Sequence, residues 1–171
     1  LRRLFENKCA VEIPSAERFG EQTRFAAQKV LFVMSSSTGL PFYADAVAKS
    51  EKPFRWTYVM FPQKDPAKPV VDIYGASWSV FKSTPEKELA SWLFMKAFTE
   101  PENIAGWANA SGYMAVRKSA APKAIETVKN DERYKNFPEA AEAYARLYDM
   151  VAYGAVEVPV AGYDPVRKLM S

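Results

Sequence analysis

Histidine is absent from the 171 residues. That removes the commonest general base, the commonest zinc ligand and every catalytic triad built on imidazole. Cysteine occurs once, at Cys9, so there is no disulfide framework and no thiol pair at metal-ligand spacing. The residues before it, Leu-Arg-Arg-Leu-Phe-Glu-Asn-Lys, lack the apolar run of a signal peptide, and Cys9 reads as a buried or half-buried thiol at a helix end. No stretch has the apolar length of a membrane span. A surplus of one charge is also missing: 23 Lys and Arg face 20 Asp and Glu, and the basic residues are scattered among acidic ones. Phosphate neutralisation needs clustered cations, so nucleic acid is excluded as a partner. There is no internal repeat and no low-complexity tract.

What is present is ordinary globular composition, 49% hydrophobic and 25% charged. The length suits one well-buried domain, or two incomplete ones if the chain is a piece of something larger. Aromatic residues make up 14%, and such an excess either fills a core or lines a ligand cleft.

The strongest local signals lie between Pro69 and Tyr113. Residues 76–82 alternate as a strand with Trp78 and Val80 on one face. Thr84 and Pro85 then announce a helix with Glu86 and Glu88 in its first turn, where the helix dipole favours them. Its expected buried stripe is Leu89, Trp92, Leu93 and Phe94 or Ala97. Thr99-Glu100-Pro101-Glu102 reads as a capping box for a second helix that carries Ile104, Trp107 and Ala108 inward and stops at Ser111-Gly112. Both tryptophans sit at core spacing. No group in this stretch could do covalent chemistry.

Around it, residues 17–28 read as a helix, and residues 29–34 (Lys-Val-Leu-Phe-Val-Met) as a buried strand. Ser35-Ser36-Ser37-Thr38-Gly39 follows and opens into a helix from Pro41 to Lys49. Such an opening presents backbone N–H groups and hydroxyls to a polar or anionic ligand, or is a plain N-cap. It is not a P-loop, since no Gly-Lys-Ser/Thr follows. Residues 54–61 alternate as a strand, and Pro62, Pro66 and Pro69 mark a hinge or inter-lobe crossing. After Val116 the pattern is helical, with one piece over 119–129, a break at Asn130-Asp131, and a stronger helix opening at Asn136-Phe137-Pro138-Glu139. The chain opens without Met in mid-helix pattern and stops straight after a helix-like Val166-Arg167-Lys168-Leu169-Met170, so both ends are expected to be cuts.

The order of motifs is the most specific feature. Phe32 to Pro41, then Pro62, Tyr74-Gly75-Ala76-Ser77, Thr99 to Asn103, Ser111-Gly112-Tyr113 and Val116-Arg117-Lys118 together resemble the carboxy-terminal half of bacterial extracellular solute-binding proteins (family 1) of ABC importers. The similarity is greatest to the sugar and glycerol-3-phosphate binding branch, and it covers nearly the whole chain.

The resemblance implies an α/β, periplasmic-binding-protein-like two-lobe fold (type II), present as a fragment lacking most of the first lobe. Residues 1–69 would be part of the carboxy-terminal lobe, 70–116 a crossing segment belonging to the amino-terminal lobe, and 117–171 the return. It implies capture of a sugar or glycerol phosphate between the lobes, delivery to ABC permease subunits, and a periplasmic or extracellular place at the cell envelope. The membrane would be met only through the permease or a lipid anchor on the missing N-terminus. Ligand contacts carried over by motif are Ser36, Ser37, Gly75 and Tyr113, and Arg167 in Asp164-Pro165-Val166-Arg167 as an anion or hydroxyl clamp. No catalytic residue, metal or cofactor is implied. Hydroxyls and a glycine-permitted backbone approach fix polar groups, tyrosine offers a flat face, and guanidinium holds two oxygens.

Two departures stand out. Tyr74 replaces a usual glycine, so it either packs under the strand or narrows the cleft. Met114-Ala115 replaces Leu-Pro, which frees the loop. A hydrolase would need a marked carboxylate pair. Asp45, Asp72 and Asp164 show none and read as solvated. A structural or interaction domain is the remaining alternative.

Overall fold

Helix dominates the residues that the computed structural model describes, which are 2–14, 16–156 and the single positions 162 and 165. In chain order these residues form α1 (Arg2–Glu6), α2 (Gly20–Ala26), α3 (Leu40–Ala48), β1 (Val71–Asp72), α4 (Pro85–Phe98), α5 (Pro101–Ser111), α6 (Ala121–Lys129), α7 (Pro138–Met150) and β2 (Gly154–Ala155). The two strands are a minimal parallel pair, Val71 opposite Gly154 and Asp72 opposite Ala155.

Helix ends follow local chemistry. Thr84 stands in extended backbone and its hydroxyl accepts the Lys87 amide at 3.5 Å, while Glu88 Oε1 accepts the Ser83 amide at 2.7 Å, which starts α4 as expected. Thr99 does not cap α5; the residue before the helix is Glu100, which makes no side-chain cap. The Thr99 hydroxyl donates to the Lys96 carbonyl at 3.2 Å and accepts from Arg117 Nε at 2.9 Å. Arg117 can thereby outcompete a local cap, because a charged donor makes the stronger bond.

Among the described residues two adjoining clusters form the core. The larger joins α2 and α3 to α6 and α7 through Leu40, Tyr43, Val47, Trp56, Val128, Tyr134, Phe137 and Tyr144. Trp56 is its hub, with the rings of Phe25, Tyr43, Tyr58 and Phe137 centred between 5.9 and 6.3 Å away. The smaller sets Ile104, Ala105 and Ala108 of α5 against Ala115, Ala120 and Ala124. Alanines along this seam let the helix backbones approach closely.

Three expected strands are absent from the described structure. Residues 54–61 keep their alternation as burial, with Trp56 buried, Phe54 and Tyr58 half-buried, and Arg55, Thr57 and Val59 exposed. No neighbouring strand supplies a ladder. Side chains hold the segment instead, Thr57 Oγ1 donating to the Glu139 carbonyl at 3.1 Å and Arg55 pairing with Glu139. Residues 29–34 form no strand and are not buried, Phe32 being 87% exposed. Residues 76–82 are likewise exposed and unpaired. Cys9, expected buried or half-buried, is exposed. The stripe expected to be core on α4 is not core either: no residue of this 14-residue helix is buried, and Trp92 is 59% exposed. Between Trp56 and Ile104 no residue is buried.

Candidate functional site

The hydroxyl-rich turn runs from Ser35 into a short 3-10 turn, Ser37–Gly39, and on into α3. Ser36 Oγ and Thr38 Oγ1 share a hydrogen bond of 2.6 Å, and the Ser36 carbonyl accepts from the Tyr58 hydroxyl at 3.5 Å. Tyr43, behind the turn, donates to Glu21 Oε2 at 3.1 Å. Burial, partly offset by a hydrogen bond with Ser35 and reinforced by Glu21, pushes its phenol up to about 12, so it stays a neutral donor. Burial likewise pushes the Tyr58 phenol up.

Gly112 ends α5 and brings the next loop against this turn. Its φ is 75°, and a Cβ there would stand 2.7 Å from the Thr38 carbonyl oxygen and 2.8 Å from Pro41 Cδ. Only glycine satisfies both the left-handed backbone and the contact. Tyr113 comes next and is tied at both backbone groups: its amide donates to Ser111 Oγ at 3.3 Å, and its carbonyl accepts from the Tyr144 hydroxyl at 3.1 Å. Tyr148 accepts the Ala115 amide at 3.0 Å and shares a 3.1 Å hydrogen bond with Tyr144. The ring of Tyr113 stacks on Trp107, with centroids 5.2 Å apart and planes 28° apart. Its Cε1 lies 3.5 Å from the position a Cβ would take on Gly75.

Of the five residues singled out from sequence, Tyr113 and Gly75 lie against each other, while Ser36 and Ser37 belong to the turn whose Thr38 backbone approaches Gly112, next to Tyr113. Ser36, Ser37 and Tyr113 are half-buried and Gly75 is exposed. Arg167 lies outside the described residues. Tyr74 is exposed instead of packing under a strand.

Sequence reasoning missed the supports. Tyr144 and Tyr148 of α7 both use their hydroxyls to hold residues 113–115. Their i, i+4 spacing was the available signal, since buried tyrosines need hydroxyl partners. Among the described residues no three His, Cys, Asp or Glu side chains come together as a metal site. A separate open groove between residues 77–80 and α4, lined by Trp78, Val80, Phe94 and Met95, is mainly apolar and lacks convergent charged groups.

A family model described as bacterial extracellular solute-binding protein matches residues 11–139. No curated protein and no solved structure matches the chain.

Proposed function

The chain belongs to the bacterial extracellular solute-binding proteins, and from that premise we propose that it captures a sugar or a glycerol phosphate at the junction of Ser36, Ser37, Gly75 and Tyr113. The family supplies the solute-binding components of ABC transporters, which work with permease subunits in the periplasm or outside the cell and are generally not enzymes. The observation that carries the reading is convergence. The Tyr113 ring lies against Gly75, and Gly112 beside it lies against the Thr38 backbone of the serine turn, although long stretches of chain separate them, so a hydroxyl-rich turn, a bare backbone and a flat phenol ring stand in adjoining segments. That set suits a polyhydroxylated solute: hydroxyls exchange hydrogen bonds, and an aromatic face takes the C–H side of a sugar. Arg167 is proposed as the clamp that would favour a phosphate.

The proposed domain plan is a type II fold in which residues 1–69 and 117–171 build the carboxy-terminal lobe and 70–116 cross to the other. In support, the larger core cluster draws, among the described residues, on residues 25–58 and 125–148. The apolar side chains of residues 73–97 stay outside it. Helix α5, packed on α6, would stand at the junction.

A thermal-shift screen of the natural full-length protein with glucose, maltose, glycerol-3-phosphate and a glycerophosphodiester tests the reading. A ligand at a hundred times its Kd adds about 2.7 kcal/mol to stability, so one class should raise Tm clearly. Tyr113→Ala and Arg167→Ala should weaken that response. If no class shifts Tm, or if both substitutions leave binding unchanged, the assignment fails.

A further inference from the structure

We infer that Trp107 is a positioning residue for the solute site, setting the plane of the Tyr113 ring against which the ligand rests. The inference rests on the site reading above and goes beyond it, since Trp107 was expected only to pack. The indole remains 38% exposed, more than a core residue on the same face as the buried Ile104 and Ala108 should be. What it does contact is aromatic: Phe98 meets it edge-on at 6.0 Å and 69°, and Tyr113 lies flat on it at 5.2 Å.

Rigid attachments surround the pair. Helix α5 is fixed to α6 through Ile104, Ala105 and Ala108. Ser111 Oγ donates to the Trp107 carbonyl at 2.7 Å and accepts the Tyr113 amide at 3.3 Å, bridging the two aromatic residues through their backbones. Gly112 lies close against the Thr38 backbone. With its backbone tied at both ends, Tyr113 keeps side-chain torsion as its remaining freedom, and the flat indole removes that freedom by covering one face. A ring fixed before the ligand arrives spares the ordering cost that a mobile ring would impose on binding. Offset-stacked aromatic pairs have the stabilisation needed to hold it.

The test uses the natural full-length protein and calorimetric titration with maltose and with glycerol-3-phosphate. Trp107→Leu keeps apolar bulk and removes the flat face; Trp107→Phe keeps a ring. The leucine variant should bind the active probe about tenfold more weakly, while the phenylalanine variant stays within about threefold of the parent. Tyr113→Ala should weaken binding, and adding Trp107→Leu to it should cost nothing further, because the indole acts through the phenol. A purely structural Trp107 would instead give a loss additive with Tyr113→Ala. Additive losses, or a Trp107→Leu protein that binds like its parent while Tyr113→Ala is impaired, overturn the inference and leave the site reading intact. Unchanged binding in Tyr113→Ala, or no binding of either probe to the parent, overturns both.

Discussion

A φ of 75° at Gly112 and a carbonyl oxygen 2.7 Å from its would-be Cβ impose separate penalties on any side chain. The left-handed conformation costs an L-residue about 1–2 kcal/mol. The neighbouring atom is the backbone of Thr38, so relief requires moving the turn that carries Ser36 and Ser37. Gly112→Ala should therefore lose about 2 kcal/mol or more, a fall in Tm of about 4–8 °C at this chain length. Urea unfolding followed by circular dichroism measures it, and a loss below about 0.5 kcal/mol would mean that the loop and the turn do not touch. Glycine at the end of this helix was legible in the sequence as a stop. Its contact with the serine turn was not, because that partner lies far along the chain.

Elements whose determinants are local were the legible ones. Thr84-Pro85 starts α4, Gly112 stops α5, Asn130 ends α6 and Pro138 opens α7, each through groups within a few residues. Strands are defined by neighbours. The segments 29–34, 54–61 and 76–82 have no ladder to join among the described residues, and only 54–61 keeps its alternation, as burial. The approach of Tyr113 to Gly75 was readable only through motif order; no periodicity pointed to it. At the link between α5 and the turn before α7, Asp131 does what no spacing rule predicted. Its Oδ1 accepts the Arg133 amide at 2.8 Å and Arg133 Nε at 2.9 Å, and its Oδ2 accepts Arg133 Nη2 at 2.9 Å and Asn109 Nδ2 at 2.8 Å. The Arg133 hydrogen bonds, joined by that from Asn109 and only partly opposed by burial, hold this carboxyl well below the usual range. A carboxyl depressed in the folded state stabilises above its unfolded pKa, about 3.9, and that stabilisation is lost as pH falls toward the folded value. Asp131→Asn should thus cost about 2 kcal/mol at pH near 7 and progressively less as pH drops below about 4. Equal losses on both sides of that range, measured by denaturant unfolding, would show that the carboxylate's charge plays no part.

At the scale of the whole molecule the accessible surface is 13088 Å², whereas a folded monomer of 19.2 kDa is expected to show about 8,400 Å². Part of it is apolar surface between residues 78 and 94, where Trp78, Phe81, Leu89, Trp92, Leu93 and Phe94 are all exposed. A 14-residue helix with no buried residue leaves apolar surface of the kind that packs against a partner, since an isolated helix of that length is marginal in water. Under the proposed two-lobe plan, the partner of α4 is the lobe to which residues 70–116 cross. The plan separates two proteins experimentally. In the 171-residue chain alone, Leu89→Gln with Trp92→Gln should change stability by no more than about 0.5 kcal/mol, because both side chains already meet water. In a protein that also carries the other lobe of the proposed plan, the same pair should cost several kcal/mol, about 2–5 for each large apolar side chain taken from a core. Equal small effects in both proteins would remove α4 from any lobe interface, and with it the assignment of residues 70–116 to the second lobe.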